Sequence, residues 1–293
     1  MRKIDNIFTL IFVMFSLFIF DSCEKNITVD VPESEEKVVV EGSIDLNGYA
    51  MVFLTKNLPY FGVIDSTMIY NLIIQDATVV VSDGIINDTL QKTFNMNYFP
   101  PIYYIGNKIK GEVGKRYFLT INAMGKTFTS ETTILPPPIL IDSVWFKVEQ
   151  NQDSLGYVWS IFNDPPEPGN FYRLFTKRIS KDSVFCPIFF SIYDDKYFNG
   201  QQFQFSMMRG ASSLGLSEED PEFGFYKIGD TVIVKYCSVD KPSYDFWRTA
   251  EGEMYSSGNP FMTPSQIVTN IVGGGLGVWT GYGVFTDTVI CKY

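Results

Sequence analysis

The chain has 293 residues, 45% of them hydrophobic, enough to bury a sizeable core. Its formal net charge of −10 argues against nucleic acid or an anionic membrane surface as a partner. It has no histidine, which excludes His-based triads, His metal ligands and imidazole acid–base chemistry, and no cofactor is expected.

Met1-Arg2-Lys3 is a basic start, followed by an apolar run from Ile7 to Phe20 and then Asp21-Ser22-Cys23. The run falls short of the roughly 20 residues that span a bilayer as a helix. Residues 1–22 read as a lipoprotein signal peptide, with Cys23 as the acylated first residue of the mature chain. An ordinary signal that happens to contain Cys23 is the alternative. The acyl chains would hold the membrane, each buried methylene adding about 0.8 kcal/mol. Residues 23–36 are polar, with Pro32 and an acidic cluster, and read as a tether.

Residues 37–135 are expected to form an N-terminal β-sandwich, immunoglobulin-like or transthyretin-like. Lys37 to Ile44 is rich in β-branched residues, and Ala50, Val52 and Leu54 alternate with Met51, Phe53 and Thr55. Ala77 to Ser82 ends at Asp83-Gly84, a tight-turn signal. Tyr117, Leu119 and Ile121 alternate with Phe118, Thr120 and Asn122, and the chain then turns into Lys126 to Thr133. Pro136, Pro137 and Pro138 cannot donate to a ladder, so the domain boundary is placed there.

Residues 139–293 are expected to form a larger β-rich domain, completing an all-β fold. Strands are read at Val144–Glu149, Tyr157–Phe162, Phe171–Ile179, Val184–Ile192, Gln202–Met208 and Thr231–Cys237. Gly210 to Gly224 reads as a long surface loop. One short helix is predicted at Tyr244–Tyr255, capped by Asp240 or Ser243, with Phe246, Ala250 and Met254 as its apolar stripe. Ile267–Val272, a glycine run, Val278–Phe285 and Thr288–Tyr293 close the chain. The run Gly273-Gly274-Gly275-Leu276-Gly277 lacks the following helix and Lys-Ser/Thr of a phosphate loop and is read as close strand approach.

Cys186, Cys237 and Cys291 remain beside the lipid site. They are read as buried thiols, with a Cys237–Cys291 disulfide as the alternative. No metal is assigned. Asp194-Asp195, Glu218-Glu219-Asp220 and Glu251/Glu253 are acidic pairs whose main reading is solvated surface, with calcium or carboxylate hydrolysis as minor readings. Tyr60 and Phe61, and Tyr103 and Tyr104, are read as loop aromatics able to contact a ligand or partner, against the plainer reading of sandwich-edge packing.

Several pieces occur in a telling order: Ser22-Cys23-Glu24-Lys25, Val38-Val39-Val40-Glu41-Gly42, Ala77-Thr78-Val79, Leu135-Pro136, Asn199-Gly200-Gln201, Gly229-Asp230-Thr231-Val232, Tyr244-Asp245-Phe246-Trp247, and Asn270-Ile271 before Gly274-Gly275-Leu276-Gly277-Val278. The order resembles the Bacteroidetes lipoprotein family catalogued as domain of unknown function 4249, with Trp279 standing where Phe is expected. The resemblance implies an outer-membrane lipoprotein, often encoded beside a TonB-dependent transporter, and carries no catalytic residue. The expected function is that of a non-enzymatic, lipid-anchored accessory protein of an uptake system, binding the transporter, its small-molecule, glycan or peptide ligand, or both. An adhesin or structural envelope protein is the alternative, and a carboxylate hydrolase the remote one. Labelled palmitate is expected to enter the chain, and Cys23→Ala to abolish that labelling; unchanged labelling of the variant would rule the anchor out.

Overall fold

The first strand sets the pattern for the molecule. β1 (Val38–Asp45) buries Val38, Val40, Gly42 and Ile44 on one face and turns Glu41, Ser43 and Asp45 to the other. β2 (Tyr49–Lys56) pairs with it antiparallel and buries Ala50, Val52 and Leu54 on the same side. The computed structural model describes residues 35–58, 70–138, 141–210, 221–256 and 266–293, and Glu36–Tyr293 form one compact unit. Cys23, Tyr60, Phe61 and the acidic run Glu218–Asp220 lie outside the described residues.

The N-terminal half continues with β3 (Thr78–Ser82), β4 (Asn87–Thr89), β5 (Gln91–Phe94), β6 (Ile102–Lys110), β7 (Arg116–Ala123) and β8 (Lys126–Thr133). The C-terminal half supplies β9 (Ile141–Val148), β10 (Leu155–Asn163), β11 (Phe171–Arg178), β12 (Cys186–Asp194), β13 (Gln202–Met207), β14 (Tyr226–Lys227), β15 (Thr231–Ser238), helix α1 (Lys241–Ser256) and β16 (Leu276–Ile290). One eight-stranded sheet runs β12-β11-β15-β16-β1-β2-β6-β5. Two four-stranded sheets accompany it, β4-β3-β7-β8 and β13-β10-β14 with β9 on β10. The fold is all-β and sandwich-like, as expected.

Both small sheets cover the same face of the large one. The first core joins Val40 and Val52 of the large sheet to Val81, Leu119, Ile121 and Phe128 of the first small sheet. The second joins Leu174, Val232, Val234 and Val289 to Phe146, Val158 and Met207. Registers Gly42↔Trp279 and Val232↔Val289 place both cores on one side, because Trp279 and Val289 are an even number of residues apart on β16.

The eight-stranded sheet runs across the boundary expected at the prolines. Residues 37–135 and 139–293 contribute separate cores, but the large sheet runs across both. β16 pairs parallel to β1 through Val39↔Leu276 to Asp45↔Tyr282, then antiparallel to β15. A parallel pair between the first and last strands leaves no local sequence signal. The two closing strands expected at Val278–Phe285 and Thr288–Tyr293 are the single β16, about 50 Å long at about 3.3 Å per residue. Pro100 to Tyr104 is not all loop: β6 begins at Ile102.

Residues 267–272 are not a strand, but they do a strand's work. Asn270 accepts from the Trp279 N–H at 2.9 Å and donates to the Trp279 carbonyl at 2.8 Å, as a neighbouring backbone would. Thr269 donates to the Gly277 carbonyl. The glycines allow close approach on both sides: a Cβ on Gly275 would lie 2.9 Å from Ile271, and at Gly277, with φ of 107°, one would lie 1.8 Å from the Val40 carbonyl oxygen of β1. A different staple closes the other sandwich edge, where buried Asp88 on β4 accepts three consecutive amides, Asn107, Lys108 and Ile109, from β6.

Trp279 is fully buried, with its indole N–H donating to the Tyr117 carbonyl at 3.1 Å. A Cβ on Gly42 would lie 2.8 Å from the indole ring. Gly42→Ala is expected to destabilise the protein by about 1–3 kcal/mol, the usual cost of overpacking, read from the urea midpoint. An unchanged midpoint would show that the ring yields freely and that the contact is not tight.

Candidate functional site

Among the described residues, the large sheet's other face carries no second sheet. There, α1 leans over β11, β12 and β16, and an open cleft of about 680 Å³ lies beside it. The same alternation that drives Val40 and Ile44 into the core turns Glu41, Ser43 and Asp45 into this cleft. β11 does likewise: Tyr172 and Leu174 face the second core, while Arg173, Phe175 and Lys177 face the cleft.

Asp240 caps α1 through the Ser243 amide at 3.1 Å, and its other oxygen accepts from Thr132 at 2.7 Å. The helix is the expected one, lengthened by an early start. Its buried face differs from the expected Phe246/Ala250/Met254 stripe, since Met254 is 68% exposed. Tyr244 and Glu251 are buried, and Trp247, Glu251 and Tyr255 line the cleft at helical spacing.

Arg173 is the organising cation. It is buried, and its Nη1 donates to the Tyr282 hydroxyl at 2.7 Å while its Nε donates to the Ser191 hydroxyl at 3.2 Å. Ser191 in turn donates through both its hydroxyl and its amide to the Glu251 carboxylate. The guanidinium carbon lies 3.2 Å from the centre of the Trp247 ring and 4.8 Å from that of Phe175. In a desolvated setting such a cation–π contact is worth about 2 kcal/mol. Burial raises the Tyr282 hydroxyl to about 12, so it stays a neutral phenol.

A bulge delivers Ser191. Between the pairs Arg173↔Ile192 and Phe175↔Pro187, four residues of β12 stand opposite Leu174 alone. Phe190 within it takes a left-handed φ of 53°, a strained conformation for an aromatic residue. The bulge brings Phe189 and Ser191 to the cleft side.

Lys235 is buried beside Phe175, Phe185 and Tyr282 and is ion-paired to Asp45. Burial works against its charge, but the Asp45 carboxylate, ion-paired and hydrogen-bonded to it, helps hold its pKa above the ordinary lysine value. Glu41 differs from both. Its exposed surface opens into the cleft, and it makes no hydrogen bond or ion pair with the described residues. Desolvation by the surrounding protein raises its carboxyl above the ordinary glutamate value, with Arg173 pulling the other way.

The residues singled out from sequence fare unevenly. Tyr103 packs behind the cleft wall, its ring 5.2 Å from Phe53 and 5.1 Å from Tyr98, both cleft-lining residues, but it is itself buried. Tyr104 is a core residue whose hydroxyl donates to the Ile74 carbonyl and accepts from the Ala77 amide, so it is not available as a contact. The Cys237–Cys291 disulfide does not form. Cys237 faces Val284 across the ladder, seven residues short of Cys291, or about 24 Å at about 3.4 Å per residue, against the roughly 7 Å limit for Cα atoms in a disulfide. Both thiols are buried and pushed up to about 12 by burial, which leaves them inert.

Asp194 and Asp195 both make structural hydrogen bonds. Asp194 accepts from Tyr244, and Asp195 accepts the Gly169 and Asn170 amides of the proline loop. Sequence reasoning missed Glu41, Arg173 and Trp247. The signal available was Phe171-Tyr172-Arg173-Leu174-Phe175-Thr176-Lys177, where aromatic and cationic residues alternate on the face opposite the apolar ones.

The fold and the cleft define a class: an all-β, sandwich-like protein with an aromatic, charge-bearing cleft on the sheet face opposite its two small sheets. The chain belongs to the family described as Domain of unknown function (DUF4249), whose model matches residues 24–288. Comparison with curated proteins gives no match.

A carboxyl whose pKa is raised on folding holds its proton more tightly in the native state. The stability this gives is present below the unfolded value, about 4.3, and is lost as pH rises through the folded value. Glu41→Gln is therefore expected to stabilise the protein at pH 7, with the gain vanishing below about pH 4 in parallel urea titrations. A variant less stable than wild type at pH 7 would mean that Glu41 is held by favourable contacts.

Proposed function

We propose that this protein is a lipid-anchored accessory protein of an outer-membrane uptake system, working beside a TonB-dependent transporter and taking the transported ligand in the cleft. The observation that carries the reading is the cleft itself. At about 680 Å³ it lies within the roughly 300–1,000 Å³ of small-molecule sites, and it combines aromatic walls with a few convergent polar groups. Nothing in core packing asks for Glu41 there: a carboxylate without a hydrogen-bonding partner, set in a desolvating site, costs stability and is what a binding site keeps for its ligand. The signal-like residues 1–23 support the anchor, and the polar residues 24–36 support a tether that lets the body reach a membrane partner.

The test is to tag the C-terminus, solubilise the outer membrane gently and identify what co-purifies. A TonB-dependent transporter in near-equal amount is expected. Recovery of the protein alone, from membranes whose other transporter complexes survive the same detergent, would contradict the proposal and favour an adhesin or structural envelope role.

A further inference from the structure

We propose that the cleft binds a neutral saccharide, with ring hydroxyls donating to Glu41 and accepting from Arg173, and a ring face stacked on the aromatic wall. This rests on the reading of the cleft as the ligand site and deepens it to a ligand class. Three observations carry it: the charge balance, the uncommitted polar atoms and the wall.

The cleft is lined by three carboxylates, Glu41, Asp45 and Glu251, and three cations, Arg173, Lys177 and Lys235. An anion brought to Arg173 also meets the field of Glu41, which interacts with that guanidinium. A cation brought to Glu41 meets Arg173 in the same way. A charged ligand would lose its hydration without net counter-charge to replace it, and a neutral ligand avoids that cost.

Most of these charges are already committed. Asp45 and Lys235 hold each other, Glu251 holds Ser191, and Lys177 donates to the Ser183 carbonyl at 3.0 Å. Of the six charged groups, Glu41 is the one whose side chain makes no hydrogen bond or ion pair with the described residues; its carboxylate oxygens only accept, and the Arg173 Nη2, which only donates, likewise makes no hydrogen bond with them. A ligand that satisfies both must offer donors and acceptors close together without carrying charge. Neighbouring hydroxyls do this, because each is donor and acceptor at once.

The wall supplies the rest. Phe53, Tyr98 and Phe99 stand on one side and Trp247 and Tyr255 on the other, with Phe99 60% exposed. Aromatic faces bury the C–H face of a sugar ring while leaving its equatorial hydroxyls free to bond at the rim. The competing chemistry is a zwitterion, such as a peptide end, whose ammonium and carboxylate would meet Glu41 and Arg173 separately.

The test uses the full-length, acylated protein in mild detergent. It is screened against an array of neutral oligosaccharides and a matched set of short peptides with free termini, and the tightest probe is followed by calorimetry. Neutral oligosaccharides are expected to bind. Glu41→Ala and Trp247→Ala should each weaken that binding at least tenfold, Glu41→Gln less, and Ile85→Ser, far along the exposed β3–β4 turn, not at all. Thermal midpoints establish that each variant is folded. Peptides binding in place of saccharides, saccharide binding indifferent to Glu41→Ala, or no saccharide binding would each overturn the assignment. Transporter co-purification is read separately, so a wrong ligand class and a wrong accessory role give different results.

Discussion

The parallel pairing of β1 with β16 is the contact on which the architecture depends. It joins the first strand of the fold to the last, so the rest of the chain acts as one long crossover connection. It is fitted at Gly42, whose missing side chain makes room for the Trp279 ring. Burying an aromatic side chain of about 150–250 Å² at about 25 cal/mol per Å² is worth about 4–6 kcal/mol. That is a large share of the roughly 5–15 kcal/mol by which domains are stable. Because β16 then passes to β15, the same strand transmits the position of the N-terminal core to the C-terminal one.

That single sheet explains why a cleft exists. Period-two alternation sends one side of every strand toward the two small sheets, and the opposite side must be covered by something else or face water. Helix α1 covers part of it, fixed at its start by Asp240, which also grips Thr132 of the first small sheet. Among the described residues, the rest stays open between the helix and β1–β2. Polar residues placed there by alternation, Glu41 and Asp45 on β1 and Arg173 and Lys177 on β11, become neighbours although some 130 residues separate them in sequence. The β12 bulge adds Ser191, which links Arg173 to Glu251.

Much of the fold was legible because it is local. Alternation in β1, β2, β7 and β15, the Asp83-Gly84 turn and the capped helix at Asp240 are signals carried by near neighbours in sequence. What was not legible is non-local. Leu135-Pro136 reads as a domain boundary from composition, and nothing nearby tells that β16 will return to β1. Residues 267–272 read as a strand because Asn270 and Thr269 sit among β-branched residues, yet they serve β16 through side chains. At the site, Glu41 hides within a valine-rich strand, and Glu251 reads as half of a solvated acidic pair until β12 supplies Ser191. Tyr104 reads as a loop aromatic because Pro100-Pro101 precede it, whereas β6 starts immediately afterwards.

The central claim is that the face of the eight-stranded sheet opposite the two small sheets is where ligand is held. Hydrogen exchange, followed by mass spectrometry on the full-length protein with and without a saturating mixture of neutral oligosaccharides, tests it directly. The account predicts slowed exchange in peptides covering 41–51, 173–191 and 247–255, with the two small sheets unchanged. Protection confined to β3–β4 and β7–β8, or none anywhere, would contradict it.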